Sequence, residues 1–514
     1  MLKKIRLGIW TAVIVLVLHT ANGMAAESFT PLEADIPALQ LAMSRGLTSA
    51  EQLVDFYLER IRQFDNAGPQ LNAIATLNPR ARTDARRLDA ERRRSGVRGP
   101  LHGIPVLVKD NYETRGMPTT AGSLALAGFA PDADAELVQR LRDAGAVILG
   151  KTNMHEFAYG ITSVGSGFGA TRNAYDPSRN PGGSSGGTGA AVAANFAAVG
   201  LGSDTCGSIR IPAAVHALVG LRGTQGASSR RGIIPLSSTQ DIGGPLARSV
   251  TDLATVLDVT VGFDPGDAQT GAAVGKFEGG FVDALRPGSL RGKRIGLLTD
   301  LIHRKPGDKD LLDLFDAAVV DMAALGAEFV PISMPDLDTL IYAREDGFEV
   351  LIRDFLKDID VYLAAHPDAP VGTLKDIVAR GDAHPSVQPL LELSLASADD
   401  PQHIYFEELA KRERLKISIL NLMARETLDA IAYPAMRSRP RPLGEDQPEE
   451  GICQLSANSG LPAIVFPSGF TQDGLPGSIE LLGRPWSDAQ LVGLAYDFER
   501  ATGHRRGPTL EADN

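Results

Sequence analysis

Two glycine-rich turns constrain this chain more than anything else in it. The first is Asn180-Pro181-Gly182-Gly183-Ser184-Ser185-Gly186-Gly187; the second is Gly202-Ser203-Asp204-Thr205-Cys206-Gly207-Ser208-Ile209-Arg210. Between them, Thr188 to Leu201 is alanine-rich and free of proline and charge. Glycine is required where φ is positive or where backbone must approach another group closely. A turn that opens a helix also leaves several backbone N–H groups unpaired, and these can hold an anion. Serines beside such donors are placed for acyl chemistry.

The rest of the chain alternates short apolar runs with amphipathic ones. Thr48-Ser49-Ala50-Glu51 reads as a capping box, and Leu53, Val54, Tyr57, Leu58 and Ile61 then recur at helical spacing. Ile104 to Val108 reads as a strand with Lys109-Asp110-Asn111 at its C-terminal end, where open α/β sheets place functional groups. Ala135 to Gly145 reads as a helix, Ala146 to Gly150 as a buried strand, and Asn173 to Pro181 as loop. Further strands are expected at Val199 to Gly202, Arg294 to Leu298, Asp429 to Pro434 and Pro462 to Pro467. Val219 to Leu221 and Gly232 to Leu236 are expected to be further buried segments, and Val250 to Val261 and Asp310 to Leu325 to be helical. Residues from about 335 to 426 are mostly helical and carry no chemical signature, as an insertion that shapes a pocket would. Alternation of this kind means an α/β fold.

A chain of 514 residues with 43% apolar and 22% charged content has ample core. Net charge is −12 and the isoelectric point about 5.3, which excludes a nucleic-acid binder that needs a basic face. The arginine-rich run from Arg80 to Arg94 alternates with acidic residues and reads as a solvated helix face. His155-Glu156 lacks the second histidine of a zinc signature, and no dinucleotide fingerprint occurs, so neither metal nor cofactor is implied.

The N-terminus reads as an address. Lys3, Lys4 and Arg6 precede an apolar run from Leu7 to Leu18, followed by small residues up to Ala26. This is the pattern of a signal peptide over residues 1–26, with a mature domain over 27–514 in a periplasm or the medium. The apolar run is short for a membrane span, so no stable membrane insertion is expected after cleavage. Cys206 and Cys453 are the only cysteines. One bridge is allowed in an oxidising compartment, but Cys206 sits in a glycine turn that a bridge would constrain, so free, packed thiols are expected.

The serines have two chemical readings. Gly-x-Ser-x-Gly occurs twice by overlap, centred on Ser184 and Ser185, but a nucleophile elbow needs a buried strand before it. Here Thr171 to Pro181 precedes it, with two prolines and no apolar run. The second reading joins Lys109 after its strand, Ser184 in Gly-Gly-Ser-Ser-Gly-Gly and Ser208 in Asp-Thr-Cys-Gly-Ser-Ile-Arg. Taken singly, each of these has an ordinary structural role; together they make a pattern.

At these residues the chain resembles the amidase signature family of serine hydrolases. The likeness extends from about Gly99-Pro100-Leu101-His102-Gly103 to Gly483-Arg484-Pro485 and includes Gly150-Lys151-Thr152-Asn153-Met154-His155-Glu156-Phe157. The resemblance implies one large α/β domain with a mixed, mostly parallel sheet flanked by helices, its signature core at about 99–263. It implies Ser208 as the acylated nucleophile, Ser184 as a bridging serine in a cis conformation, and Lys109 as the terminal base. Lysine serves only when neutral, so its pKa of about 10.4 must fall by several units. The N–H groups of Thr205, Cys206, Gly207 and Ser208 are the expected oxyanion donors, with Ser185, Asp204 and Arg210 in support. Cys206 departs from the family's glycine there; its N–H survives provided φ is negative.

The implied activity is hydrolysis of a carboxamide in a small molecule or peptide. The segment after Gly187 and Ser237 to Asp241 most resemble bacterial peptide amidases, which remove a C-terminal amide. Aryl-acylamide, carbamate or ester hydrolysis remain open, as do a catalytically silent binding protein and an amidotransferase A-type subunit. Tyr159 to Phe168 and the insertion are expected near the pocket.

Overall fold

The computed structural model describes residues 29–304, 307–342, 349–448 and 450–511. The leader expected over residues 1–26 lies outside the described residues. The apolar runs become β1 (Ile74–Leu77), β2 (Pro105–Lys109), β3 (Val147–Thr152), β4 (Val199–Asp204), β5 (Val219–Arg222) and β6 (Ile242–Ala247). The second half of the chain supplies β7 (Arg294–Leu298), β8 (Glu328–Ile332), β9 (Ala430–Pro434), β10 (Ala463–Phe470) and β11 (Pro476–Leu482). All join one sheet in the order β1-β3-β2-β4-β6-β5-β10-β11-β9-β7-β8, flanked by helices in a single α/β domain.

The sheet is mixed, but it is not mostly parallel as expected. Four strand pairs are parallel (β2/β3, β2/β4, β7/β8, β7/β9) and six are antiparallel. The reason lies in the middle of the sheet. The five-residue link from β10 to β11 (471–475) allows only a hairpin, and β6 returns antiparallel between β4 and β5. Parallel pairing is confined to two groups, and one of them builds the site. β3, β2 and β4 run side by side with Val108 opposite Leu201, so Lys109 and the end of β4 emerge together.

Local chemistry explains the flanking helices. The helix Ala50–Phe64 buries Leu53, Val54, Tyr57 and Ile61 completely, worth about 1.5–3 kcal/mol for each large side chain. Its cap is Ser49, which accepts from Gln52 N–H, rather than Thr48. The shift by one residue follows from Asp89, whose carboxylate takes the Ala50 and Glu51 N–H groups at 2.8 and 3.1 Å. Gly232 to Leu236 lies mostly buried but forms only an isolated bridge from Ile233 to Tyr112.

The helix Gly186–Ala193 is buried at every position and lies against β4. Its glycines cost helix propensity, up to about 1 kcal/mol each against alanine, but they permit close approach to the sheet. The region at 335–426 contributes the helices Leu337–Ile341, Glu349–Ala364, Leu374–Arg380, Gln388–Ala396 and Gln402–Arg425. Leu351, Phe355 and Leu391 from these helices join Phe157, Tyr159 and Leu236 in one apolar cluster. No helix among the described residues is long and apolar enough to cross a membrane.

Candidate active site

Lys109 ends β2 with its side chain wholly buried. Its Nζ lies 2.7 Å from Ser184 Oγ and 2.8 Å from Ser203 Oγ, and 3.4 Å from the Ser203 carbonyl. Asn111 Nδ2 donates to the same Ser203 hydroxyl at 3.0 Å. Burial lowers the amine's pKa to about 7, against the opposing pull of the Asp241 and Asp204 carboxylates. Ser203 is a contact that sequence reasoning missed; Asn111 is placed by it at the functional end of the strand, without a role. A serine at a strand end has no signature of its own, and only the register of β2 against β4 reveals it.

Ser184 follows a cis Gly183–Ser184 peptide bond. Its carbonyl accepts the His155 N–H at 3.0 Å and the Ser163 hydroxyl at 3.3 Å. A side chain at Gly183 would meet the Ile161 backbone at 2.8 Å, which explains glycine there. Ser185 binds the two turns together. Its N–H donates to the Ser208 carbonyl at 3.3 Å, its hydroxyl donates to the Ser203 carbonyl at 3.2 Å, and the Ser203 N–H donates to Ser185 Oγ at 3.3 Å.

The Ser208 hydroxyl lines the pocket and makes no hydrogen bond among the described residues. The contact from Lys109 to Ser184 is therefore formed, and a direct bond from Ser184 onward to Ser208 is not. The N–H groups of Thr205, Cys206 and Ser208 also have no partner among the described residues, whereas Gly207 donates to Asp204 Oδ1 at 2.8 Å. Of the four expected donors, Gly207 is therefore committed within the turn. Gly207 has φ 85°, and Cys206 is not among the residues with positive φ.

Asp204 organises the turn from within. It accepts from Gly207 and Ile209 N–H, and its carboxylate faces Arg210 at 3.1 Å and Arg222 at 3.1 Å. Burial alone would push this carboxyl up; Arg210 and Arg222 outweigh it and hold it well below the usual carboxylate range. Arg210 also reaches Glu480 of β11 at 2.6 Å, and Thr205 donates its hydroxyl to Asp241 at 2.5 Å. Arg222, Asp241 and Glu480 come from distant segments, and no local motif marks them.

Cys206 and Cys453 form a disulfide, with Cα atoms 5.2 Å apart. This overturns the expectation of free thiols. The constraint that argued against a bridge is present: Cys453 opens the helix Cys453–Ser459 and sits against Gly207.

A cavity of about 500 Å³ opens over Ser208. Its walls are largely apolar, with Tyr159, Ile211, Leu236, Leu351, Leu390 and Met436. Leu351 and Leu390 come from the inserted helices. Among the described residues of the lining, Arg210 is the one cation, and it is committed to Asp204 and Glu480. Asp446 and Glu450 give one wall an acidic character, and burial raises the Glu450 carboxyl. No cluster of three His, Cys, Asp or Glu able to hold a metal occurs among the described residues.

Comparison with known proteins follows the same lines. A family model described as amidase matches residues 52–492. The crystal structure of native peptide amidase from Stenotrophomonas maltophilia superposes with a TM-score of 0.86 at 38% identity, covering 93% of this chain and 99% of that one. A probable amidase of Arabidopsis thaliana is 32% identical over 506 residues, spanning 95% of this chain and 93% of its own. The A-type subunit of the glutamyl-tRNA(Gln) amidotransferase from an Azoarcus species is 33% identical, spanning 92% of this chain and 98% of its own.

Proposed function

The chain belongs to the amidase family and is an amide-hydrolysing enzyme, and from that premise we propose that it works through an acyl-enzyme on Ser208, with Ser184 and Lys109 relaying the proton. One observation carries this reading: a fully buried lysine, with a pKa near 7, lies 2.7 Å from Ser184 Oγ. A neutral amine has two N–H donors and one lone pair. Ser203 offers two acceptors, its hydroxyl and its carbonyl, which leaves the lone pair for the Ser184 proton. Ser184 in turn takes the proton of Ser208 as Oγ attacks the amide carbon. Rotation of a serine hydroxyl, or one bridging water, completes the relay.

The negative charge then develops on the carbonyl oxygen, for which the N–H groups of Thr205, Cys206 and Ser208, uncommitted among the described residues of the pocket lining, are the donors. Loss of one such donor typically costs about 10²–10³ in rate. The proton returns by the same relay to the departing amine, and water cleaves the acyl-enzyme with Lys109 again as base. Covalent labelling of Ser208 by a fluorophosphonate, absent in Ser208→Ala, is the direct test. Labelling that persists in Ser208→Ala, or amide hydrolysis unaffected by that change, refutes the assignment.

For the substrate, a peptide C-terminal amide is the reading best supported. The pocket is largely apolar with an acidic wall and, among the described residues, offers a substrate carboxylate no uncommitted cation, which favours an amide over the corresponding acid. The likeness to a peptide amidase over nearly the whole chain points the same way. Ammonia release from a panel of peptide amides, anilides, carbamates and esters ranks these classes. Kinship with amidotransferase subunits favours a second reading, that of one subunit in an assembly, which copurification with two partner chains would reveal. Export through the N-terminal leader belongs to the first reading, and the disulfide supports it, because such bonds persist in oxidising compartments. Recovery of the mature chain in the cytosolic fraction would contradict export.

A further inference from the structure

We propose that the Cys206–Cys453 disulfide is a positioning element of the active site, which sets turnover by holding the oxyanion turn, and that a small dithiol entering through the substrate pocket switches turnover down. The proposal rests on the assignment of Ser208 as nucleophile.

The turn is held unevenly. Gly207 and Ile209 are tied by their N–H groups to Asp204, and Thr205 by its hydroxyl to Asp241. Among the described residues, neither the N–H nor the carbonyl of Cys206 makes a hydrogen bond. Between its two tethered neighbours, its own tie to the rest of the molecule is the sulfur bridge. Yet Cys206 stands two residues before Ser208 and supplies one of the three uncommitted donors. Freeing its side chain therefore releases an oxyanion donor without disturbing the bonds that fix Ser208.

The far end of the bridge is firm. Cys453 packs against Gly207, such that a side-chain carbon placed there would lie 3.0 Å from Cys453 Cβ. The Cys453 carbonyl accepts from Arg210 Nη2 at 3.2 Å, and Arg210 grips Asp204. Cys206, Cys453, Arg210, Asp204 and Gly207 thus close a ring of contacts around Ser208, in which the disulfide is the covalent link. Ile452 and Gln454, beside Cys453, line the same cavity, so the bridge also holds a pocket wall to the turn.

The bond is reachable. Both cysteines line the cavity of about 500 Å³ and both are half-buried rather than enclosed. A dithiol attacks one sulfur as thiolate, forms a mixed disulfide, and closes on itself. Two electrons and two protons pass to the protein, the Cys206–Cys453 bond breaks into two thiols, and the dithiol leaves as its cyclic disulfide.

The test uses the full-length folded protein with dithiothreitol as reductant, thiol counting, and steady-state kinetics on one peptide amide. Reduced enzyme and Cys453→Ala are expected to lose tenfold or more in kcat with KM changed by less than threefold. The loss should be reversed by re-oxidation in the wild type and not in the variant. A fluorophosphonate adduct on Ser208, by filling the cavity, should slow the appearance of the two thiols at least tenfold. That protection reports the route, and the positioning role is read from turnover: a bridge that only stabilised the fold would not produce a kcat loss well below the unfolding temperature. A kcat within twofold of the oxidised enzyme, in reduced protein or in Cys453→Ala, overturns the positioning role. Thiols that appear equally fast with the pocket blocked overturn the route through it. Should the native bond resist the dithiol, the route fails and Cys453→Ala alone decides the positioning role. Failure of the fluorophosphonate to label Ser208 would instead count against the nucleophile itself, so the two ideas fail separately.

Discussion

Lys109 is the residue on which chemistry and stability meet. Base catalysis needs the uncharged amine, and burial brings its pKa to about 7. Log kcat/KM is therefore expected to rise with unit slope below about pH 7 and to level above it. A pH–rate profile flat from pH 5 to 9 would exclude Lys109 as the titrating base. The same shift has a thermodynamic cost. Between about 7 and 10.5 the unfolded chain holds this proton and the folded chain does not. Unfolding then takes up a proton, so stability from this group falls as pH drops through that window, by about 1.4 kcal/mol per unit. Lys109→Met should be inactive yet lack this component of the pH dependence, so its midpoint in urea, set against wild type, should gain steadily from pH 10 to pH 7. Parallel curves for the two proteins would show that Lys109 is charged in the fold. Of the site residues, the lysine and both serines were legible because each stands in its own motif. Ser203, Asn111, Arg222, Asp241 and Glu480 were not, because their roles exist only through sheet register and packing.

At the scale of elements, glycine and alanine let the chain pack what a propensity reading would reject. The helix Gly186–Ala193 approaches the strands so closely that an added carbon at Gly187 would lie 2.2 Å from the Asn153 carbonyl and 2.7 Å from that of Ala73. Both are backbone atoms that cannot swing aside. Gly187→Ala is expected to cost about 3 kcal/mol, the upper part of the overpacking range, read as a loss of urea midpoint at unchanged slope. Gly279→Ala, with nothing within 4 Å, should stay within about 0.5 kcal/mol of wild type. Equal effects at the two positions would mean that the helix does not sit where described. The same small residues hid parts of the fold. β6 reads Ile-Gly-Gly-Pro-Leu-Ala, without a β-branched alternation, and β11 opens on Pro476 and Gly477. Both were missed, and with them the antiparallel centre of the sheet. The strands that were read, such as β2, β3 and β7, have valine, isoleucine and leucine runs.

Across the whole molecule, the inserted helices reach the site directly, through Leu351 and Leu390 in the pocket wall. They also reach it through polar ties to the loop at Ser237 to Gln240, among them the buried carboxylate of Asp354. Asp354, on the helix Glu349–Ala364, accepts the hydroxyls of Ser237 and Thr239 at 2.5 Å each and that of Tyr405 at 2.7 Å. It is 2% exposed. One turn before it on the same helix stands Leu351, and immediately before Ser237 stands Leu236; both line the cavity. Asp354 therefore ties together two walls of the pocket that come from segments more than a hundred residues apart. The loop it grips also carries Asp241, which accepts Leu236 and Ser237 N–H and the Thr205 hydroxyl. Asp354→Ala removes the acceptor from three hydroxyls, of which Ser237 is buried and Thr239 and Tyr405 part-exposed, at about 1–3 kcal/mol for a buried group that loses its partner. The oxyanion turn keeps its own anchors at Asp204, so the main effect should fall on binding. KM for peptide amides with a large apolar side chain is expected to rise by tenfold or more. For a small amide that does not reach Leu351, kcat/KM should change by less than threefold, because the reacting groups stay in place. A uniform loss for both substrates would mean that the insertion supports the fold at large and does not shape the pocket wall.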